Sequence, residues 1–207
     1  MTKIAYFGGS FSPIHLGHLN SANYVLEHLK LDELYFMPNA TPPHKAQVAL
    51  SYQQRCELLQ CSLHDYGQER FKLSYFEQDN TKTHYTYETL KELNKIHDHA
   101  ELFFIIGMDS LINLNTWKNW DQLVDLANIV VLQRPGYDLS TLDQEIYDHL
   151  NNTHQSYLRQ QHPYDFIVLS SPSYDISSTQ LRKALQEGNH ELLKRFLTVS
   201  TYQRIVL

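Results

Sequence analysis

The chain has 207 residues, a formal net charge of −6 and a hydrophobic fraction of 42%. This length and composition predict one soluble globular domain, and the acidic balance argues against general binding to nucleic acid or to an anionic membrane. No apolar run approaches about 18 residues, and the N-terminus lacks the basic and apolar regions of a signal peptide. We therefore expect a cytoplasmic protein without a membrane span.

Short apolar runs alternate along the chain with stretches of helical periodicity. Strands are predicted at 4–7, 34–37, 71–76, 102–106, 129–132 and 166–169, and helices at 17–29, 52–64, 86–97, 123–127, 178–186 and 190–197. This alternation is typical of an α/β fold, a doubly wound (Rossmann-like) parallel sheet that binds ligands beyond the carboxyl ends of its strands. We predict a single domain over residues 1–207, with the polar residues 137–163 forming a surface excursion.

The segment G-G-S-F-S-P-I-H-L-G-H, residues 8–18, lies between the first predicted strand and the first predicted helix. Gly8 and Gly9 let the backbone approach an anion, and the helix start adds free N–H groups. His15 and His18 are three residues apart, so on a helix they face the same side and can reach one ligand. The segment predicts a phosphate site, and a tight turn with incidental histidines is the competing interpretation.

A second candidate anion site lies at residues 175–182, D-I-S-S-T-Q-L-R. Ser177 is the predicted N-cap of the following helix, in a capping-box spacing. Ser178 and Thr179 add hydroxyl donors, and the planar guanidinium of Arg182 can bind a phosphate. Taken alone, the segment also fits an ordinary capped helix with a solvated arginine.

Together, the Gly-x-Phe-x-Pro-x-His-x-x-His and Ile-Ser-Ser-Thr-x-x-Arg patterns resemble the nucleotidyltransferase superfamily that carries a His-x-Gly-His motif. Four further segments resemble bacterial nicotinate mononucleotide adenylyltransferases: P-P-H-K at 42–45, Y-T-Y-E-T-L at 85–90, I-I-G-M-D-S-L at 105–111 followed by Trp117, and V-V-L-Q-R-P-G at 130–136. These motifs follow the family order over nearly the whole chain.

The resemblance implies an enzyme that joins nicotinate mononucleotide to ATP and releases pyrophosphate, with Mg²⁺ accompanying the ATP. It implies that three side chains are catalytic: His15, His18 and Arg182. It implies ATP contacts from Gly8, Gly9, Ser10, Phe11, Gly17, Arg134, Ile176, Ser178 and Thr179. It implies mononucleotide contacts from Lys45, Tyr85, Thr86, Asp109 and Trp117, with Trp117 stacked on the nicotinate ring and the backbone near Thr86 binding its carboxylate. No residue is expected to be a dedicated metal ligand.

Several alternatives stay open at this point. A related adenylyltransferase could use nicotinamide mononucleotide or phosphopantetheine, although phosphopantetheine enzymes are shorter and would not need the 85–90 and 109–117 segments. A non-catalytic nucleotide-binding module is a further alternative. An aminoacyl-tRNA synthetase fragment carries a similar motif, but this chain is short, acidic and without an anticodon domain. The sequence leaves open whether the chain forms a homo-oligomer.

Three positions depart from the family pattern, and the first is Ser10, which keeps a hydroxyl group where the family often has threonine. Ser12 stands where the family often has aspartate, so no role of that carboxylate transfers, and Lys118 follows Trp117 where an aromatic residue is common. We expect Arg55 and Lys183 to be surface or ion-paired residues. The two cysteines, Cys56 and Cys61, have no metal or redox spacing and are expected to be reduced.

Overall fold

The computed structural model describes residues 1–40, 49–79, 81, 83–133, 139, 142–170, 172 and 174–206. Within these residues, six parallel strands form one sheet in the order β3-β2-β1-β4-β5-β6. The strands are β1 (Thr2–Gly9), β2 (Glu33–Pro38), β3 (Phe71–Leu73), β4 (Ala100–Gly107), β5 (Asn128–Gln133) and β6 (Phe166–Ser170). The predicted doubly wound sheet is confirmed, and its direction of winding reverses between β1 and β4.

Helices cover both faces of the sheet. They are α1 (Leu16–His28), α2 (Tyr52–Tyr66), α3 (Thr86–Ile96), α4 (Met108–Ile112), α5 (Gln144–Leu158), α6 (Ser178–Gln186), α7 (His190–Phe196) and α8 (Val199–Val206), with 3-10 turns at Leu114–Thr116 and Trp120–Asp125. None of the helices in the described ranges is long and apolar enough to cross a membrane.

The side chains of β1 show how the two layers form. Ala5 and Phe7 point into a core with apolar residues of α1 and α2, whereas Ile4 and Tyr6 point into a core with residues of α3, α4 and α5. Because successive side chains of a strand alternate between faces, a strand covered on both sides must be apolar at every position. The uninterrupted apolar run of β4 has this property, as predicted.

Residues 144–158 differ from the expected surface excursion, because they form α5. Asp143 caps this helix by accepting a hydrogen bond from the Glu145 N–H at 2.9 Å. Ile146 and Leu150, one helical turn apart, are buried in the core of the α3 side. Two well-spaced apolar residues are thus enough to pack an otherwise polar helix against the sheet.

The C-terminal helices α6, α7 and α8 enclose a small cluster of their own. They join the main body through α2, where the hydroxyl groups of Ser62 and Thr201 are 2.5 Å apart and Asp65 accepts a hydrogen bond from the Ser200 N–H at 2.7 Å. Cys56 and Cys61, both on α2, are free thiols, as expected. The strand predicted at 71–76 ends at Leu73, because residues beyond it turn back on themselves.

Candidate active site

The loop after β1 is shaped by aromatic packing. A Cβ atom on Gly8 would lie 2.8 Å from Cζ of Phe104, and one on Gly9 would lie 3.0 Å from Cζ of Phe11. The absence of a side chain therefore lets this backbone pass directly over two aromatic rings, which brings the loop close to the crevice between β1 and β4.

Phe11 holds the loop in a strained conformation. Its φ of 45° lies in the left-handed region, which a bulky residue adopts only when its surroundings impose it. The ring is 2% exposed and makes edge contacts with Phe7, at 5.4 Å between centroids, and with His18, at 5.2 Å. The strained turn is therefore directly linked to one of the predicted catalytic side chains.

The structure brings His15 and His18 together at the start of α1. His15 is the N-cap residue, with extended backbone angles, and its side chain does not cap the helix. The two imidazole rings stack with 3.7 Å between centroids and 28° between planes. The two rings therefore lie side by side, as the three-residue spacing predicted, and their shared contact with a ligand stays a prediction.

The second motif contacts the first directly. Ser177 caps α6 by accepting a hydrogen bond from the Gln180 N–H at 3.2 Å, as predicted. Ser178 donates its hydroxyl to the Pro13 carbonyl at 2.9 Å. Arg182 donates to the Ser12 carbonyl at 2.7 Å and to the Thr179 hydroxyl at 2.9 Å. Two segments more than 160 residues apart in sequence therefore form one site.

Gly17 lies where the two motifs meet. A Cβ atom at this position would be 2.9 Å from Nδ1 of His15 and 3.0 Å from Cγ2 of Ile176. Ile176 is itself buried, with 5% of its surface exposed. The glycine between the two histidines therefore leaves the space that the imidazole and the second motif occupy.

The other side of the crevice carries the predicted mononucleotide residues. Asp109 is exposed in the first turn of α4, and its Oδ1 would lie 2.6 Å from a Cβ on Gly107. Tyr85 is the N-cap residue of α3, and no side chain caps this helix start, so the first N–H groups, beginning at Thr86, are available to an anion. Trp117 is half-buried against the core on the same side.

Lys118 connects the Trp117 segment to the start of α3. Its ammonium group is 2.5 Å from a carboxylate oxygen of Glu88 and lies 4.8 Å from the centroid of the Tyr85 ring. The lysine that stands where an aromatic residue is common thus forms an ion pair beside the residues predicted to bind the mononucleotide, and its ammonium group lies over the Tyr85 ring.

A buried carboxyl group is hydrogen-bonded to the first half of α3. Glu77 is 6% exposed and accepts a hydrogen bond from the Thr89 hydroxyl at 2.8 Å. Burial raises the pKa of the Glu77 carboxyl above its ordinary value, and the hydrogen bond from Thr89 only partly offsets this.

The prediction that Arg55 lies at the surface is wrong. Arg55 is 1% exposed and donates hydrogen bonds to backbone carbonyls at the ends of β1 and β2. A signal was present in the sequence, because Arg55 shares helical spacing with the buried Leu58, Leu59 and Ser62 of α2. Lys183, in contrast, is exposed and pairs with Glu187 at 3.7 Å, as expected.

Two predicted contact residues, Lys45 and Arg134, lie outside the described residues. Within the described part of the chain, no three His, Cys, Asp or Glu side chains gather as a cation cage. The site consists instead of helix starts, two imidazoles, hydroxyl groups and one guanidinium, a donor set suited to phosphate oxygens.

Comparisons with known proteins agree with this geometry. A profile of the family described as cytidylyltransferase-like matches residues 6–184. A protein of Shewanella sp. (strain MR-7) named a probable nicotinate-nucleotide adenylyltransferase is 41% identical over 194 residues, which cover 90% of this chain and 89% of the relative. A Clostridium tetani protein of the same name is 33% identical over 206 residues, which cover 99% and 96%.

The fold has a solved counterpart. Plasmodium falciparum nicotinic acid mononucleotide adenylyltransferase, complexed with NaAD, superposes with a TM-score of 0.75 at 19% identity, covering 100% of this chain and 95% of that one. At this level of identity the likeness concerns the fold, whereas the bacterial relatives establish the family. The chain therefore belongs to the cytidylyltransferase-like family and, within it, to the nicotinate-nucleotide adenylyltransferases.

Proposed function

We propose that this chain transfers the adenylyl group of ATP to nicotinate mononucleotide, giving nicotinate adenine dinucleotide and pyrophosphate in NAD biosynthesis. The observation that carries the proposal is the convergence of the two motifs, in which Arg182 bonds the Ser12 carbonyl beside the stacked His15 and His18. This convergence supports a triphosphate site in a chain whose relatives are named for the same reaction.

The chemistry requires no covalent intermediate on the protein. A phosphate oxygen of the mononucleotide attacks the α-phosphorus of ATP in line, a new P–O bond forms, and the bond to the β-phosphate oxygen breaks to release pyrophosphate. We propose that His15, His18 and Arg182 donate hydrogen bonds to oxygens whose charge grows in the transition state.

Mg²⁺ would neutralise part of the charge of the triphosphate. The described residues offer hydroxyl and carbonyl oxygens near this site but no carboxylate cluster, so the donor set fits an ion held mainly by phosphate oxygens and water. We therefore assign the ion no protein ligand.

We propose that the mononucleotide lies toward α3, α4 and Trp117. The indole face of Trp117 suits a positively charged pyridinium ring, and the uncapped start of α3 suits a carboxylate. Lys118 is paired with Glu88 there, so the uncapped helix start is the feature that favours the acid over the amide substrate. The free thiols of Cys56 and Cys61 support a reducing, cytoplasmic setting.

The test is pyrophosphate release from ATP with nicotinate mononucleotide, nicotinamide mononucleotide and phosphopantetheine as separate acceptors. We expect nicotinate mononucleotide to give the highest kcat/KM. By analogy with a lost oxyanion donor, His18→Ala should raise the barrier by about 3 kcal/mol, roughly 10²-fold in rate. ATP binding without pyrophosphate release for any acceptor would identify a binding module instead.

A further inference from the structure

Arg55 is a fully buried guanidinium that joins the ends of two strands. From α2, its Nη1 donates to the Ser10 carbonyl at 2.8 Å, and its Nη2 donates to the carbonyls of Asn39 at 2.7 Å and Ala40 at 3.2 Å. Ser10 follows β1 and Asn39 follows β2, so one planar group spans two adjacent loops at the carboxyl edge of the sheet. A planar fork with several donors is the side chain best suited to hold two loops at a set spacing.

Burying this arginine carries a cost in stability. Each of its hydrogen-bond acceptors in the described residues is a backbone carbonyl, and its Nε has no acceptor there. Burial is the main reason that the pKa of Arg55 lies below its ordinary value, which reflects the cost of keeping a charge away from water. Replacing Arg55 by an apolar residue removes this cost but leaves the carbonyls of Ser10, Asn39 and Ala40 without their donor, and each buried acceptor that loses its partner destabilises the fold.

The loop that Arg55 holds is the strained one. Arg55 bonds the Ser10 carbonyl on one side of Phe11, and Arg182 bonds the Ser12 carbonyl on the other side. Phe11 has a left-handed backbone, and its ring contacts His18. A conformation of this kind persists only when its neighbours determine it, so loosening either carbonyl allows Phe11 to relax and His18 to shift.

We propose that Arg55 is a positioning residue for adenylyl transfer, which holds the strained turn at Phe11 and fixes its spacing from the end of β2 without touching substrate. This inference rests on the proposed function for its kinetic test. It goes further by separating two arginines: Arg182 is partly exposed where the two motifs meet, whereas the buried Arg55 acts through the backbone of the loop.

The experiment compares Arg55→Met, Arg55→Lys and the control Arg70→Met. Arg70 also donates to a backbone carbonyl, that of Leu31 at 3.3 Å, but at the opposite edge of the sheet. We expect Arg55→Met to lower the unfolding midpoint, while the kcat of the folded enzyme falls roughly 30-fold and the KM for ATP rises more than the KM for the mononucleotide. Arg70→Met should leave kcat and the ratio of the two KM values unchanged.

Arg55→Lys tests whether the positive charge or the reach of the guanidinium across both strand ends is required. It also provides the test if Arg55→Met fails to fold. A lysine keeps the positive charge but cannot span both strand ends, so we expect its kcat to stay within about threefold of the Arg55→Met value. Full activity of either Arg55 variant, or a loss of kcat only in proportion to unfolded protein, overturns the proposal.

A binding measurement tests the role of Arg55 separately from the proposed reaction. If the wild type forms no dinucleotide, the proposed function fails, and equilibrium dialysis with ATP alone still tests Arg55. We then expect Arg55→Met to weaken ATP binding about tenfold relative to wild type and Arg70→Met, since the loop would no longer hold its phosphate-facing shape. Equal ATP affinity in all three proteins contradicts the positioning role.

Discussion

At the scale of a single residue, Gly17 shows a conflict between helix stability and the space that the site requires. Alanine is favoured over glycine inside a helix by about 1 kcal/mol. Its methyl group would however lie 2.9 Å from the His15 ring and 3.0 Å from Ile176. The higher helix propensity of alanine stabilises the fold and the steric contact destabilises it, so the two largely cancel in the free energy of unfolding. Only the steric contact displaces the His15 imidazole.

We therefore expect Gly17→Ala to lower kcat by at least about tenfold, because small displacements of a catalytic group are costly, while the free energy of unfolding changes by less than about 1 kcal/mol. Urea unfolding and steady-state kinetics measure the two quantities. Ser21→Ala, one turn further along α1, is the matched control and should leave kcat unchanged. A Gly17→Ala enzyme as fast as wild type would show that His15 tolerates displacement.

The element that we propose to distinguish the acceptor is the short segment around Trp117, which the Lys118–Glu88 ion pair connects to α3. Trp117→Ala removes the stacking surface and should raise the KM of the mononucleotide about tenfold, or about 1.4 kcal/mol, with little change in the KM of ATP. Trp120 provides the control, because its ring packs against His149 at 4.9 Å. Trp120→Ala should destabilise the fold without changing the ratio of the two KM values, and an equal rise of both in Trp117→Ala would remove the stacking role.

The attachment of α3 predicts a pH dependence of stability. Burial raises the folded-state pKa of Glu77 above the value of 4.5 expected for an unfolded chain. The folded state then binds this proton more tightly than the unfolded state, so the contribution of Glu77 is most favourable below pH 4.5 and is lost as pH rises through the folded pKa. Above pH 4.5 the raised pKa of Glu77 therefore costs stability relative to an unperturbed carboxyl.

Glu77→Gln keeps an oxygen that can accept the Thr89 hydrogen bond and removes the ionisation. We expect this variant to be more stable than wild type at pH 7, with the difference closing as pH falls below 4.5. Glu33→Gln is a control of opposite sign, because hydrogen bonds from Lys72 and Tyr35 lower the pKa of the Glu33 carboxyl. This variant should be less stable than wild type at pH 7. Chemical unfolding across this pH range measures both variants, and a stability gain of Glu77→Gln that does not vary with pH contradicts the prediction.

At the scale of the whole molecule, local sequence patterns predicted the sheet because its strands and helices satisfy local rules. The continuous apolar run of β4 and the cap of α6 at Ser177 are signals contained within a few residues. Features that depend on distant partners were missed. The helical spacing of Arg55 indicates its burial, but its carbonyl partners at the ends of two strands could not be predicted from that segment, and neither could the hydroxyl contacts that hold α8 to α2.

The same distinction holds for the candidate site. The histidine spacing and the Arg182 position could be predicted, because each motif is short and chemically specific. The direct bond from Arg182 to the Ser12 carbonyl could not, since it depends on how the C-terminal helices pack against the loop after β1. That contact builds the proposed ATP site from two segments that are far apart in sequence.

Because the two motifs come from opposite ends of the chain, a ligand that contacts both should stabilise the whole fold. At an ATP concentration about 100-fold above its Kd, binding contributes about 2.7 kcal/mol, or roughly 5–10 °C in Tm for a domain of this size. Arg182→Ala, with binding about 30-fold weaker, should retain about 0.9 kcal/mol of this at the same concentration. Lys183→Ala, on the next residue of α6 and exposed to solvent, is the control and should keep the full shift. Thermal unfolding with and without ATP measures all three proteins, and identical shifts in both variants would place Arg182 away from the phosphates.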